Sequence, residues 1–203
     1  MNGTLAYYDE HAEEYAASAA TADLSALYGR FVSCIPKGGC ILDLGCGSGR
    51  DTKQFLAMGY QVTAMDGSAE MCRIASDCTG IPVVCRRFEE LTEEDAYDGV
   101  WACASLLHIT EEQLPEILDR ICRALKDGGI LYASFKKGCG ESTDGGRYYQ
   151  YYDEEKLRGL FCRSGCGSRS GCWCEPEILR TADSTGRSSV EWINVFAKRI
   201  RRP

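Results

Sequence analysis

The sequence predicts an α/β fold, doubly wound about a mostly parallel sheet, and three observations carry that prediction. Short apolar runs alternate with segments of helical periodicity along the chain, the pattern of a parallel sheet covered on both faces. Those runs are roughly four to eight residues long and do not alternate polar with apolar, as expected of strands buried on both sides. The first of them ends in a glycine-rich turn that opens a helix.

Taken in order, Tyr8, Ala12, Tyr15, Ala16 and Ala19 fall on one face of an N-terminal helix, and Leu24 to Val32 suggests a second. The buried strands follow at Cys40 to Leu44, Tyr60 to Met65, Ile81 to Cys85, Asp98 to Ala104 and Gly129 to Phe135. The clearest helix runs from Glu111 to Lys126, with an apolar stripe of Leu114, Ile117, Leu118, Ile121 and Leu125. Thr110 and Gln113 form its expected capping box, and Gly128-Gly129 its stop. A glycine-hinged loop, a helix from Asp153 to Phe161 and a Gly/Ser/Cys-rich loop come next. Two strands, Trp173 to Asp183 and Glu191 to Lys198, complete a seven-stranded sheet as an antiparallel C-terminal edge hairpin.

A length of 203 residues suits one domain with a sizeable core. Its expected parts are N-terminal helices (1–36), a ligand-binding core (37–136), a lid (137–152) and a C-terminal helix with edge strands (153–203). The longest apolar stretches, such as Val100 to Leu107, are too short to span a bilayer, and the N-terminus lacks the regions of a signal peptide. Thirteen cysteines, scattered through core segments, read as small apolar fillers in a reducing compartment, so a cytoplasmic protein is expected. A net charge of −7 disfavours nucleic acid as a partner. The terminal Lys198-Arg199-Ile200-Arg201-Arg202 run reads as a solvated tail. Oligomeric state has no signature in the sequence.

The strongest chemical signal is Asp43-Leu44-Gly45-Cys46-Gly47-Ser48-Gly49-Arg50. Glycines allow positive φ and close approach of a ligand to the main chain, and the helix N-terminus that follows offers free N–H groups. A dinucleotide fingerprint needs its third glycine, or an alanine, where Arg50 stands, and no Lys-Ser/Thr pair follows to make a P-loop. About twenty residues on, the next strand ends at Asp66, before Gly67-Ser68 and Met71. A carboxylate there suits ribose hydroxyls; alternatively it caps a helix, although Ser68 is the better cap.

This arrangement resembles the class I S-adenosylmethionine-dependent methyltransferases of small-molecule type, in order and spacing over roughly residues 5 to 200. The run Gly47 to Thr52 also loosely resembles tellurite-resistance methyltransferases. The resemblance implies the Rossmann-like methyltransferase fold and S-adenosyl-L-methionine as cofactor. It places Asp43, Gly45, Cys46, Gly47, Ser48, Gly49, Arg50, Gly67, Ser68 and Met71 at the cofactor, with Asp66 at the ribose. Phe88 and Glu89 would flank the adenine, Ser105 would stand after the fourth strand, and Tyr8 and Tyr15 would lie over the cofactor from the N-terminal helix.

Methyl transfer needs alignment in a dry pocket more than a catalytic triad. His108, after the fourth strand, is the candidate general base, with packing near the cofactor as its alternative role. Arg147 is a candidate clamp for a carboxylate or phosphate of the acceptor, and Tyr148 a candidate beside it, on a lid rich in glycine and tyrosine. No Asn/Asp-Pro-Pro-Tyr/Phe segment or Pro-Cys nucleophile follows the fourth strand, which leaves a small-molecule acceptor. Cys162, Cys166, Cys172 and Cys174 have irregular spacing for zinc, so no metal is expected. Two other readings stay open: a nicotinamide-dependent oxidoreductase on a related sheet, and a non-catalytic S-adenosylmethionine-binding domain.

Overall fold

In a computed structural model of the chain, residues 2–19, 22–163, 172–183 and 190–200 are described. The helices are α1 (Asn2–Glu10), α2 (Ala12–Ala19), α3 (Ser25–Val32), α4 (Arg50–Ala57), α5 (Ala69–Thr79), α6 (Leu114–Ala124) and α7 (Glu154–Arg163). The strands are β1 (Cys40–Leu44), β2 (Gln61–Asp66), β3 (Val83–Cys85), β4 (Tyr97–Ala102), β5 (Leu125–Lys136), β6 (Glu141–Asp144), β7 (Arg147–Gln150), β8 (Cys172–Trp173), β9 (Glu177–Ala182) and β10 (Glu191–Ile200).

The main sheet runs β3-β2-β1-β4-β5-β10, with β8 and β9 both pairing to β10. Strands β1 to β5 are parallel neighbours, whereas β10 is antiparallel to β5 and to both of its outer partners. The doubly wound prediction is therefore observed. Among the described residues, β8 and β9 form the edge opposite β3, and β10 lies inside them. The single strand expected over Trp173 to Asp183 is two, because Pro176 stands between them and has no N–H for a ladder.

Both faces of the sheet are covered, which is why its strands do not alternate polar and apolar. Ile41, Trp101, Ile130 and Tyr132 point to one face, where Tyr28, Phe31 and Phe55 pack on them. Their neighbours Leu42, Leu44, Val100, Ala102, Leu131 and Ala133 point to the other, under α6 and α7. Trp101 stacks on Tyr132 with centroids 3.8 Å apart, joining β4 to β5 at the centre of the first face.

Several details differ from expectation. The N-terminal helix is broken at His11 into α1 and α2, and Tyr7 stacks on that histidine. Helix α6 is shorter at both ends than Glu111 to Lys126, since Leu125 already pairs with Tyr97 as the first residue of β5. Its capping box is half formed: the Gln113 N–H donates to the Thr110 hydroxyl, while Gln113 Oε1 accepts a hydrogen bond from that hydroxyl and not from the Thr110 N–H. The expected lid is a β-hairpin, β6 and β7, closed by Gly145-Gly146 at φ 57° and 90°. Positive φ at both central residues is what a type I′ two-residue hairpin turn demands.

The basic terminus is not a solvated tail where it is described. Arg199 belongs to β10, is 2% exposed, and bonds Asp95 and the Leu125 carbonyl. A buried guanidinium needs such partners, and the paired strand ends supply them. Arg201, Arg202, Cys166 and the Gly/Ser/Cys-rich loop from 164 to 171 lie outside the described residues. No helix among the described residues is long and apolar enough to cross a membrane.

Candidate active site

Strand order reverses between β1 and β4, and the crevice at their carboxyl ends is where an open α/β sheet binds ligands. A cavity of about 580 Å³ opens there. Its floor is the glycine turn after β1. The Gly45 and Cys46 N–H groups both donate to the Met65 carbonyl at 2.8 and 3.0 Å, tying the turn to the end of β2. At Gly45, φ is 78° and a Cβ would stand 2.5 Å from the Cβ of Ser105. Glycine is therefore required twice, by conformation and by space.

At the end of β2 the Asp66 carboxylate accepts the Gly47 N–H on one oxygen and the Ser68 N–H on the other, each at 2.9 Å. Burial pushes its pKa up, and those backbone donors oppose the shift. Each oxygen keeps a lone pair for a further donor.

Tyr8, Tyr15, Gly45, Cys46, Gly47, Ser48, Arg50, Asp66, Gly67, Met71, Phe88, Ser105, His108 and Arg147 all line the cavity. Five other predicted residues do not. Asp43 is buried beneath the turn, where it accepts the Thr52 hydroxyl at 2.5 Å and its pKa is pushed up to about 8, chiefly by burial. Gly49 packs α4 on α5: a Cβ there would meet Thr79 and Ala75 at 2.8 and 3.2 Å. Ser68 caps α5 through the Met71 N–H and donates its hydroxyl to Asp9, which anchors α1. Glu89 stands in a short 3₁₀ turn outside the cavity lining, with Oε2 buried and unpartnered.

Tyr148 points away from the cavity, and its neighbours show why. Residues of a strand alternate faces, so Arg147 and Tyr149 face the cavity while Tyr148 turns out to donate its hydroxyl to Glu141 at 2.7 Å. Its backbone N–H donates to Thr4, docking α1 on the hairpin. The Gly-Gly turn before Arg147-Tyr148-Tyr149-Gln150 was the signal that this segment is a strand.

His108 is almost fully buried between α1 and the hairpin. Nδ1 lies 2.6 Å from the Tyr148 carbonyl oxygen, which can only accept, so Nδ1 carries the proton. Nε2 then accepts from the Tyr8 hydroxyl at 3.0 Å. Burial lowers the imidazole pKa to about 4, with Arg147 and Lys136 adding to the shift, so it is neutral near pH 7. The Tyr8 phenol is held well above its usual pKa by burial.

Several lining residues were missed. Asp51 is buried and accepts from Tyr28 (2.5 Å), Trp101 (2.7 Å) and Arg50 (2.6 Å), fixing Arg50 at the cavity wall. Lys136 arrives at the end of β5 and Asn194 from within β10 beside the crevice, and position at a strand's carboxyl end was the signal for Lys136. Ala104, just past β4, has φ 51° and donates its N–H to Ser134 at 2.7 Å, a strained backbone beside the ligand crevice. Among the described residues no group of His, Cys, Asp and Glu is placed to hold a metal.

A family described as a methyltransferase domain matches residues 41–129. The ubiquinone biosynthesis O-methyltransferase of Xanthomonas axonopodis pv. citri (strain 306) is 35% identical over 107 residues, covering 49% of this chain and 44% of that protein. The match thus spans less than half the length of that curated relative. Among solved structures, the Burkholderia thailandensis 1,6-didemethyltoxoflavin-N1-methyltransferase, with bound 1,6-didemethyltoxoflavin and S-adenosylhomocysteine, has a TM-score of 0.77 at 19% identity, over 98% of this chain and 88% of that one. A SAM-dependent methyltransferase from Methanosarcina mazei has a TM-score of 0.68 at 18% identity, over 89% and 100%.

Proposed function

We propose that this chain, whose residues 41–129 carry the methyltransferase domain and whose fold is that of the class I S-adenosylmethionine-dependent enzymes, transfers a methyl group from that cofactor to a small molecule. The observation that carries the reading is the pairing of the Gly45–Gly49 turn with the Asp66 carboxylate at the switch point of the sheet. The residues fit the cofactor. Asp66 has a lone pair on each oxygen for a ribose hydroxyl, Gly45 leaves room where a Cβ would fill the turn, and Phe88 lies beside Gly45. Tyr15 reaches over Gly47, 3.8 Å from where a Cβ would stand. Arg50, held by Asp51 in the cavity wall, stands where a dinucleotide would need a small residue.

When bound, the cofactor supplies a methyl group on a sulfonium, an excellent leaving group. The chain's own work is orientation, exclusion of water and disposal of one proton. Tyr8 takes the acceptor's proton as its own passes to His108 Nε2, while Nδ1–H stays on the Tyr148 carbonyl. A base pushed down to about 4 is too weak to ionise a neutral hydroxyl beforehand. It suffices for the strongly acidic oxygen that methylation of a hydroxyl creates, so proton loss accompanies transfer. His108 thus acts through Tyr8. Cysteines buried as thiols at Cys46 and Cys72 favour a reducing, cytoplasmic setting.

Calorimetry against S-adenosylhomocysteine and NAD tests the reading. Binding of the first and not the second is expected, with a loss of at least tenfold in Asp66→Ala. Preference for NAD would return the oxidoreductase reading, and cofactor binding without transfer to any small molecule would return the non-catalytic one.

A further inference from the structure

The methyl-transfer reading leaves the acceptor unnamed, and the far wall of the same cavity narrows it. Tyr149 presents its ring there, and two cations lie on it: Lys136 Nζ is 3.7 Å and Arg147 Cζ 5.4 Å from the ring centre. The Arg147 guanidinium also lies 4.4 Å from the Tyr7 ring, so aromatic faces flank it on two sides. His108 meets the same tyrosine at 5.0 Å and is neutral, so it brings no counter-charge. The carboxylate that pairs with Arg147 is Asp144, 3.4 Å away and itself 75% exposed.

Aromatic faces stabilise a guanidinium's charge but offer no in-plane lone pair to its N–H groups. Arg147 Nε is buried and has no hydrogen-bond partner. The Tyr8 hydroxyl and Asp144 partner the rest of the guanidinium. A cationic side chain with one donor left over beside a cavity, with a second cation on the same ring, is complementary to an oxyanion. Arg147, Lys136, Tyr149 and Tyr8 all line that cavity.

Resting on the methyl-transfer reading, we propose that the acceptor carries a carboxylate or phosphate group, held by Arg147 and Lys136 over Tyr149, with its nucleophilic atom directed to Tyr8. The clamp selects the acceptor by charge, and the hairpin turn at Gly145-Gly146 sets where Arg147 stands.

The test titrates the full chain, loaded with S-adenosylhomocysteine, with benzoate, phenyl phosphate and neutral benzamide by calorimetry. At least one anion is expected to bind saturably and about tenfold or more tighter than benzamide, and which anion wins separates carboxylate from phosphate. Arg147→Ala and Lys136→Gln should each weaken that anion by about 10- to 100-fold, with affinity for S-adenosylhomocysteine unchanged. Arg147→Lys should recover part of the loss, because it keeps the charge without the fork. Benzamide binding as tightly as both anions, or anion affinity surviving both substitutions, overturns the proposal. Should Arg147→Ala fail to fold, Lys136→Gln decides alone. Failure of S-adenosylhomocysteine to bind the unaltered chain would instead sink the methyl-transfer reading, and the anion titration of the free chain would still decide the clamp.

Discussion

The two ends of the cavity are built from different materials. At the glycine turn, the cavity surface is the backbone of Gly45 to Ser48, whose first three N–H groups tie the turn to Met65 and Asp66, and one carboxylate held by two backbone donors. At the other end it is side chains, Tyr8, His108, Lys136, Arg147 and Tyr149, delivered by α1, the segment after β4, the end of β5 and a hairpin. At Gly45 the first surface has no room for an added atom, whereas the second is made of side chains that can differ in chemistry. A common ligand is suited to the former and a protein-specific one to the latter.

The contrast is broken most severely at Gly45. Gly45→Val combines a β-branched residue at φ 78° with a 2.5 Å contact to Ser105. It should cost about 4 kcal/mol between strain and overpacking, read as a lowered melting temperature and lost S-adenosylhomocysteine binding. Affinity within threefold of the original would mean the backbone does not form the floor.

A loss of comparable size is expected from acid. His108 has its pKa lowered from 6.5 to about 4 in the folded chain, so between those values only the unfolded chain is protonated. Its contribution is complete above pH 6.5 and is lost as pH falls toward 4, about 3 kcal/mol in all. Denaturant midpoints across that range should fall less steeply in His108→Gln; parallel curves would show that the histidine is not buried neutral.

Tyr8→Phe sharpens the difference between the ends. It removes the hydroxyl that reaches His108 and should lower kcat about 100-fold, while cofactor affinity stays within threefold. Unchanged kcat would eliminate the relay. The smallest effect is expected at Tyr148→Phe, less than about twofold in kcat, because that side chain faces away from the cavity. A large loss there, measured beside Tyr149→Leu, would mean the strand faces are reversed.

What could be read in the sequence follows this division. The buried strands, the glycine turn and Asp66 are local features: a run of residues that must bury both faces, a backbone that must take positive φ, and a carboxylate at a strand end. His108 and Arg147 were found by their place beside the crevice, but their partners were not. The bond from Tyr8 to His108 joins residues 100 apart, and the one from Tyr148 to Thr4 residues 144 apart. A loop has no period, so only the hairpin shows that Tyr149 and not Tyr148 faces the cavity. Asp43 and Ser68 carry motif identity, yet they support the turn and the helix behind the cavity.

By itself the sequence determined which segments become the parallel strands, and that a glycine turn of positive φ follows the first of them. Short-range sterics and burial decide such things wherever the rest of the chain goes. The tertiary structure alone decided that the histidine is neutral, that Arg199 is buried, and that two cations share one tyrosine. Those depend on dielectric and on distances between elements far apart in the chain, quantities that exist only once the sheet, α1 and the hairpin have closed around one another.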